Sequence, residues 1–222
     1  MYRAFEEGDW AEAQGVADEM ITESERSPHS LEVTMRNVRA RMRLARGDIA
    51  GALLDTERAL ERAREAKDPG TLRPALFVRA FALFAAGRQE QTEPLLDELL
   101  EDSAQPNRRL NFGGPPEVPW LYQTLGRGRE WADVQQVGPR LPWLVAAEAV
   151  LAGDYVAAAD IYAELLSIPS EAFTRLRAAE AFVAEGLRAE ADLQLHRALA
   201  LYRSMGASAY AAECESLLAA SA

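Results

Sequence analysis

A short phrase built on glycine recurs along the chain and dictates what it can fold into. It reads GDWAEA at Gly8, GDIAGA at Gly47, GRQEQT at Gly87, GDYVAA at Gly153 and GLRAEA at Gly186. Five residues after each glycine stands a small residue: Ala13, Ala52, Thr92, Ala158 and Ala191. Seven residues before the last four stands an alanine: Ala40, Ala80, Ala146 and Ala179. Self-similarity of this kind marks repeat architectures. In physical terms an apolar helix ends, and glycine supplies the turn at low steric cost. Aspartate, in three of the copies, caps the first amides of the next helix. The two small residues sit where paired helices must approach closely. Leu96 with Leu99, Tyr162 with Leu165, and Leu195 with Leu199 fill the space beyond at helical spacing. The glycine of GDY is thus a helix-helix corner. A phosphate cradle would want several glycines followed by Lys-Ser or Lys-Thr, which the chain lacks.

Composition points the same way. Ala, Leu, Glu and Arg dominate, all of them helix formers, and no run of alternating β-branched residues appears. An all-α protein is expected. The formal net charge of -11 disfavours a chain-wide attraction to nucleic acid or anionic lipid. The single cysteine, Cys214, allows no internal disulfide, which suits a reducing cytoplasm. The opening MYRAFEEGDW does not read as a signal peptide. The apolar stretches ALFVRAFALFAA and WLVAAEAVLA are interrupted by Arg79 and Glu148 and fall short of the ~20 residues of a membrane span.

The corner phrase, and LAGDYVAAADIYAELLSIP above all, resembles a tetratricopeptide repeat, with its aromatic Tyr162 and late Pro169. The glycines at 8, 47 and 87 are spaced by 39 and 40, longer than the family's roughly 34 residues, whereas 153 and 186 are 33 apart. GRGREWADVQ, at 126–135, reads as a degenerate corner. The tail RALALYRSMGASAYAAECESLLAASA is similar to the ends of helical-repeat regions in large bacterial regulators with a cyclase or LuxR-type output domain and an NTPase domain. That resemblance implies a docking or sensor arm, not a catalyst.

The expected architecture is an α-solenoid of antiparallel helix pairs, a tetratricopeptide-like right-handed superhelix forming a single domain over 1–222. Approximate repeats cover 1–28, 29–68, 70–103, 116–140, 142–169 and 170–205, and a capping helix covers 207–220. The paired helices, A then B, are expected at 1–7 and 9–25, 31–46 and 48–67, 72–86 and 88–102, 117–126 and 130–138, 143–152 and 154–167, and 171–185 and 187–204. The first A helix is only half length. The chain then reads either as a fragment of a longer protein or as one that associates with another copy through its incomplete first pair. SAQPNRRLNFGGPPEVP, at 103–119, is the one long irregular stretch, because its prolines and glycines oppose helix. Loops of this length are often functional, so Arg108, Arg109 and Phe112 are candidates for contact with a partner, the alternative being a plain connector.

Charge is sorted between helix types. The 9–25 helix carries Asp9, Glu12, Asp18, Glu19, Glu23 and Glu25 with no basic residue, whereas 31–46 carries Arg36, Arg39, Arg41, Arg43 and Arg46 against Glu32. The next A helix adds Arg73 and Arg79. At ~100° per residue, Arg36, Arg39, Arg43 and Arg46 fall within about 80° of one another, beside an apolar stripe of Leu31, Met35, Val38, Met42 and Ala45. The resemblance implies that A helices line a concave wall, so these arginines either form a basic groove for an acidic peptide or other protein segment, or pair with acids on neighbouring B helices. Trp120, Tyr122, Trp131 and Trp143 concentrate in the irregular middle, where Trp120 and Tyr122 either offer a second contact surface or fill gaps left by a broken repeat. His29 and His196 belong to no metal-ligand or catalytic motif, Cys214 has no base beside it in sequence, and no cofactor is implied. The sequence therefore favours a non-catalytic docking module. A peptide or small-ligand sensor is the alternative, and an unrecognised enzyme the remote one.

Overall fold

The computed structural model describes residues 1–24, 26, 31–104, 115–135 and 141–220. Among them the chain is all-α, with no strand. The helices are α1 (Tyr2–Glu6), α2 (Trp10–Ser24), α3 (Leu31–Ala45), α4 (Ile49–Ala66), α5 (Pro69–Ala85), α6 (Gln89–Ala104) and α7 (Glu117–Thr124). They continue with α8 (Gly128–Gln135), α9 (Pro142–Leu151), α10 (Tyr155–Glu164), α11 (Ile168–Ala184), α12 (Arg188–Met205) and α13 (Ser208–Ala219). None is long and apolar enough to cross a membrane.

The helices lie where the corner phrase puts them, and the shifted ends have physical causes. Helix α5 starts at Pro69, ahead of the expected 72, because a proline in the first turn gives up no hydrogen bond and Asp68 caps Gly70 N at 3.0 Å. Pro169 and Pro119 are tolerated near the starts of α11 and α7 for the same reason. The irregular stretch is correspondingly shorter than 103–119, since α6 runs to Ala104 and α7 begins at Glu117.

From Gly47 onward each glycine corner is a hydrogen-bonded helix stop. At Gly47 (φ 84°) the chain enters the left-handed region; Gly47 N donates to Leu44 O at 3.0 Å and Asp48 N to Arg43 O at 2.9 Å. These two bonds satisfy carbonyls that the end of α3 would otherwise leave open. The Asp48 carboxylate then accepts from Gly51 N at 2.9 Å and starts α4. The same reversal occurs at Gly126, the degenerate corner of GRGREWADVQ, at Gly206, which the phrase did not include, and at Leu166, a non-glycine held at φ 57°. Ser167 N closes the Leu166 corner by donating to Tyr162 O at 3.0 Å.

The chain divides into two compact units, one of Met1–Phe5 with Asp9–Arg109 and the other of Glu6–Gly8 with Leu110–Ala222. In the first unit α2 packs on α3, α3 on α4 and α5, α4 on α5, and α5 on α6. In the second, α7 packs on α8 and α9, α8 on α9, and from α9 to α13 each helix packs on the next. All nine small residues of the phrase, from Ala13 to Ala191, are completely buried. The Thr92 hydroxyl lies 3.4 Å from Ala80 O, so the residue five after a glycine meets the residue seven before it. Cores grow outward from these contacts; Ala146, Val150, Ala158 and Tyr162 form one such cluster, with Trp143 and Leu165 against it.

Burial separates the helix types. In α3 only Leu31 is exposed, and Ala75–Leu83 of α5 is buried apart from the partly covered Arg79. Helix α4 instead keeps an outer face of Leu54, Glu57, Arg58, Glu61, Arg62 and Glu65 in solvent, at the spacing of an amphipathic helix.

Candidate functional site

The arginine row of α3 is the richest polar cluster of the first unit. Arg36, Arg39 and Arg43 are three and four residues apart, so α3 presents them on one side. That side faces α4, where Asp55 is the acceptor, its side chain only 1% exposed. Arg39 binds Asp55 through a two-pronged contact: Nε to Oδ2 at 2.8 Å and Nη2 to Oδ1 at 2.6 Å. Arg36 Nη1 reaches Oδ1 at 3.3 Å, and Arg43 Nη1 reaches Oδ2 at 2.8 Å. One carboxylate thus serves three guanidinium groups.

The surplus positive charge is met by other acids. Arg36 Nε donates to Glu32 at 2.7 Å, and Arg39 Nη1 to Asp18 of α2 at 2.6 Å. Arg43 Nε lies 3.5 Å from Asp48, and Arg62 joins from the outer face of α4, 3.6 Å from Glu32. Arg62 also holds Glu65 at 2.9 Å, so four guanidinium groups sit among five carboxylates and the positive charge of the row is fully balanced. Burial opposes the charge on Asp18 and on Arg39, but the hydrogen bonds between them and to Asp55 prevail: the Asp18 carboxyl is held below its usual range and Arg39 is held more firmly protonated. Short, charge-assisted and forked contacts are the strong class of hydrogen bond. The cluster's rim is open. Asp18 is about half exposed and Arg43 is 27% exposed, whereas Asp55 at its centre is sealed.

Arg46 and the α5 arginines Arg73 and Arg79 go elsewhere. Arg46 donates to Gln14 at 3.2 Å and lies 5.9 Å over the Trp10 ring. Arg73 binds Asp102 of α6 through its carboxylate at 2.5 Å and its backbone carbonyl at 3.1 Å. Arg79 donates to Leu53 O at 2.7 Å and to Thr56 at 3.2 Å, and burial lowers its pKa. The structure therefore brings Arg36, Arg39 and Arg43 to one carboxylate and disperses Arg46, Arg73 and Arg79 along the seams between helices. These guanidinium groups are engaged within the first unit and do not stand as a bare basic wall.

The second candidate surface is differently placed. Arg108, Arg109 and Phe112 lie outside the described residues. Tyr122 is completely buried and stacks on Trp131 at 5.1 Å, with Arg127 5.9 Å from its ring centre. Trp120 is partly buried and meets Phe173 edge-on at 5.5 Å. These rings fill the interior of the second unit, where large aromatics contribute the most buried area per residue.

Sequence reasoning missed a second polar trio. In α11, Arg175 is 4% exposed; its Nε donates to Glu171 at 2.7 Å, Nη1 to Gln194 of α12 at 3.1 Å and Nη2 to Asp160 of α10 at 3.1 Å. Measured from the corner glycines, Glu171, Arg175 and Gln194 hold the same offsets from Gly186 as Glu32, Arg36 and Asp55 hold from Gly47: fifteen before, eleven before and eight after. Extending the repeat comparison from glycine and alanine to polar positions would have found it. Among the described residues no group of three His, Cys, Asp or Glu side chains is arranged to hold a metal ion. Comparison with protein-family models, with curated proteins and with solved structures finds no match.

Proposed function

We propose that the chain is a non-catalytic docking module, built as a tetratricopeptide-like right-handed solenoid of antiparallel pairs with α13 as its cap. It serves as the helical-repeat arm of a cytoplasmic bacterial signalling or transcriptional regulator. The observation that carries this reading is the repetition itself: one corner geometry and one pair of fully buried small residues recur through the chain. Repeat stacks of this kind expend their sequence on nearest-neighbour packing and offer extended surfaces for partners. The partner we favour is a protein segment carrying carboxylates, either in a separate protein or elsewhere in the parent chain. It would enter at the rim of the α3 cluster, replacing the exposed Asp18 and the loosely held Asp48 on Arg39 and Arg43 while Asp55 stays in place.

The test starts from the genomic sequence flanking Met1. Any NTPase or cyclase domain encoded there is purified and titrated calorimetrically against this chain and against Arg36→Gln/Arg39→Gln/Arg43→Gln, with circular dichroism to establish that the variant is folded. Saturable binding that the folded triple variant loses is the expected outcome. Binding that the triple variant retains removes the arginine rim from the proposal, and absence of binding to every flanking domain overturns the docking role.

A further inference from the structure

The second unit contains a short segment from the α1–α2 corner, Glu6–Gly8, whereas the residues on either side of it belong to the first. Contacts at both ends of the segment account for this. A Cβ placed on Gly8 would lie 3.3 Å from Met205 Cγ of α12, and 3.4 and 3.5 Å from Ile168 Cδ1 and Cγ2 of α11. A Cβ on Gly87, Gly126, Gly153, Gly186 or Gly206 would meet nothing within 4 Å. Those corners have open space around them, and the Gly8 corner is seated. At the other end the Ser167 hydroxyl donates to the Glu6 carboxylate. Ser170 Oγ lies 2.7 Å from Ser167 Oγ. A hydroxyl has one proton and a carboxylate only accepts, so Ser167 gives its proton to Glu6 and receives that of Ser170. The two serines are 1% and 2% exposed, and Met205 is 3% exposed.

We propose that Ser167, Ile168 and Met205 form a docking socket for a turn that carries a carboxylate two residues ahead of a glycine, that Glu6–Gly8 is its resident occupant, and that an acidic turn of a partner protein enters only when this segment leaves.

The socket has a second satisfied arrangement, as a latch requires. Ser167 stands at the N-cap of α11, where a serine oxygen ordinarily accepts from an amide of the first turn, yet it makes no such bond. Pro169 has no N–H, so the amide it would cap is that of Ser170. When Glu6 withdraws, the Ser167 oxygen can take that amide while its proton goes to water, so the bond is exchanged and not simply lost. The occupant is pre-formed. Phe5 and Trp10 stack across the corner at 5.5 Å with 2° between their planes, and Trp10 Nε1 donates to Phe5 O at 3.2 Å. Gly8 holds φ 80°, which a side chain disfavours, and its missing Cβ lets the turn meet Met205 and Ile168. The socket therefore selects on two counts: a carboxylate for the Ser167 hydroxyl, and a glycine backbone against two apolar side chains. A contact this small is held by local concentration, since a tethered segment acts at about millimolar effective concentration. A free turn making the same contacts is excluded until the resident one leaves. This inference does not depend on the α3 rim.

The experiment titrates the peptide MYRAFEEGDW, Met1–Trp10, to about millimolar concentration into the full chain and follows the Ile168 and Met205 methyl resonances by NMR. The peptide carries both rings of the stack that pre-forms the turn. In the protein, Glu6→Ala removes the hydrogen bond that retains the resident segment, and circular dichroism establishes that the variant is folded. The Glu6→Ala protein should bind the peptide saturably and at least about tenfold more tightly than the unaltered chain. The peptide carrying Glu6→Ala should bind that protein at least about tenfold more weakly than the unaltered peptide. No methyl shift in the Glu6→Ala protein, equal binding by the two peptides, or equal binding by the two proteins overturns the proposal. Should Glu6→Ala not fold, Gly8→Ala takes its place, with Gly153→Ala as control. Both put a side chain at positive φ, 80° and 78°, but only the first presses on Met205 and Ile168. Peptide binding should then strengthen in Gly8→Ala alone, and an equal response in the two variants overturns the proposal.

Discussion

Substituting Asp55→Asn keeps the side chain's shape and removes the one charge on which three arginines converge. Asp55 accepts four hydrogen bonds from Arg36, Arg39 and Arg43, and its side chain is 1% exposed. The arginines are not left wholly stranded, because Glu32, Asp18 and Gly51 O still accept from Arg36, Arg39 and Arg43 respectively. What is lost is the buried half of the ion cluster. An asparagine amide retains one acceptor oxygen but turns its NH2 towards the Arg39 fork. Removing one partner of a buried pair costs about 3–5 kcal/mol, because the remaining charges stay desolvated. At roughly 4–8 °C per kcal/mol for a domain of this size, the first unit should melt at least about 10 °C lower. Urea unfolding followed by circular dichroism measures the loss, and an unchanged m-value certifies that the folded state is intact. Repeating the substitution in an Arg39→Met background separates charge from shape, since much of the penalty should vanish once the forked donor is gone. A loss below about 1 kcal/mol, or the same loss in both backgrounds, would refute the claim that Asp55 neutralises the row.

Three further outcomes are expected. Leu166 is 70% exposed and holds φ 57°, so Leu166→Gly should raise stability by up to about 1 kcal/mol in urea melts; a destabilised variant would mean that the corner is not strained by its side chain. Ala158→Leu, at a fully buried position beside Ala146 and Tyr162, should cost about 1–3 kcal/mol or more, and a neutral result would show slack where the helices are closest. Cys214 is completely buried and its thiol is pushed up to about 12, so Ellman's reagent at mildly alkaline pH should react only as the protein opens; rapid labelling of the folded protein would contradict that placement.

What was legible in the sequence was what depends on size and turn geometry. Ala40 and Ala52 announce a close approach because nothing larger fits, and Gly47 announces a corner because its backbone conformation disfavours a side chain. Leu166 makes the same turn without a glycine, so the pattern gave no sign of it. The α3 arginines were legible as a row, because helical spacing is local, but their destination was not. Asp55 lies sixteen residues beyond Arg39, and whether a guanidinium meets that carboxylate or water is decided by how α4 lies on α3. Tyr122 shows the same limit. Its ring could equally have served a surface, and only its stacking on Trp131 places it inside.

The order of helix contacts has a consequence for how the protein is made. From α2 to α6, and again from α9 to α13, each helix rests on the one just before it in sequence. Closing such short loops costs little entropy, and chains dominated by local contacts fold quickly. A nascent chain emerging from the ribosome can therefore lay down each new helix on one already formed, with its apolar stripe covered soon after synthesis and little time for that stripe to find a neighbouring polysome.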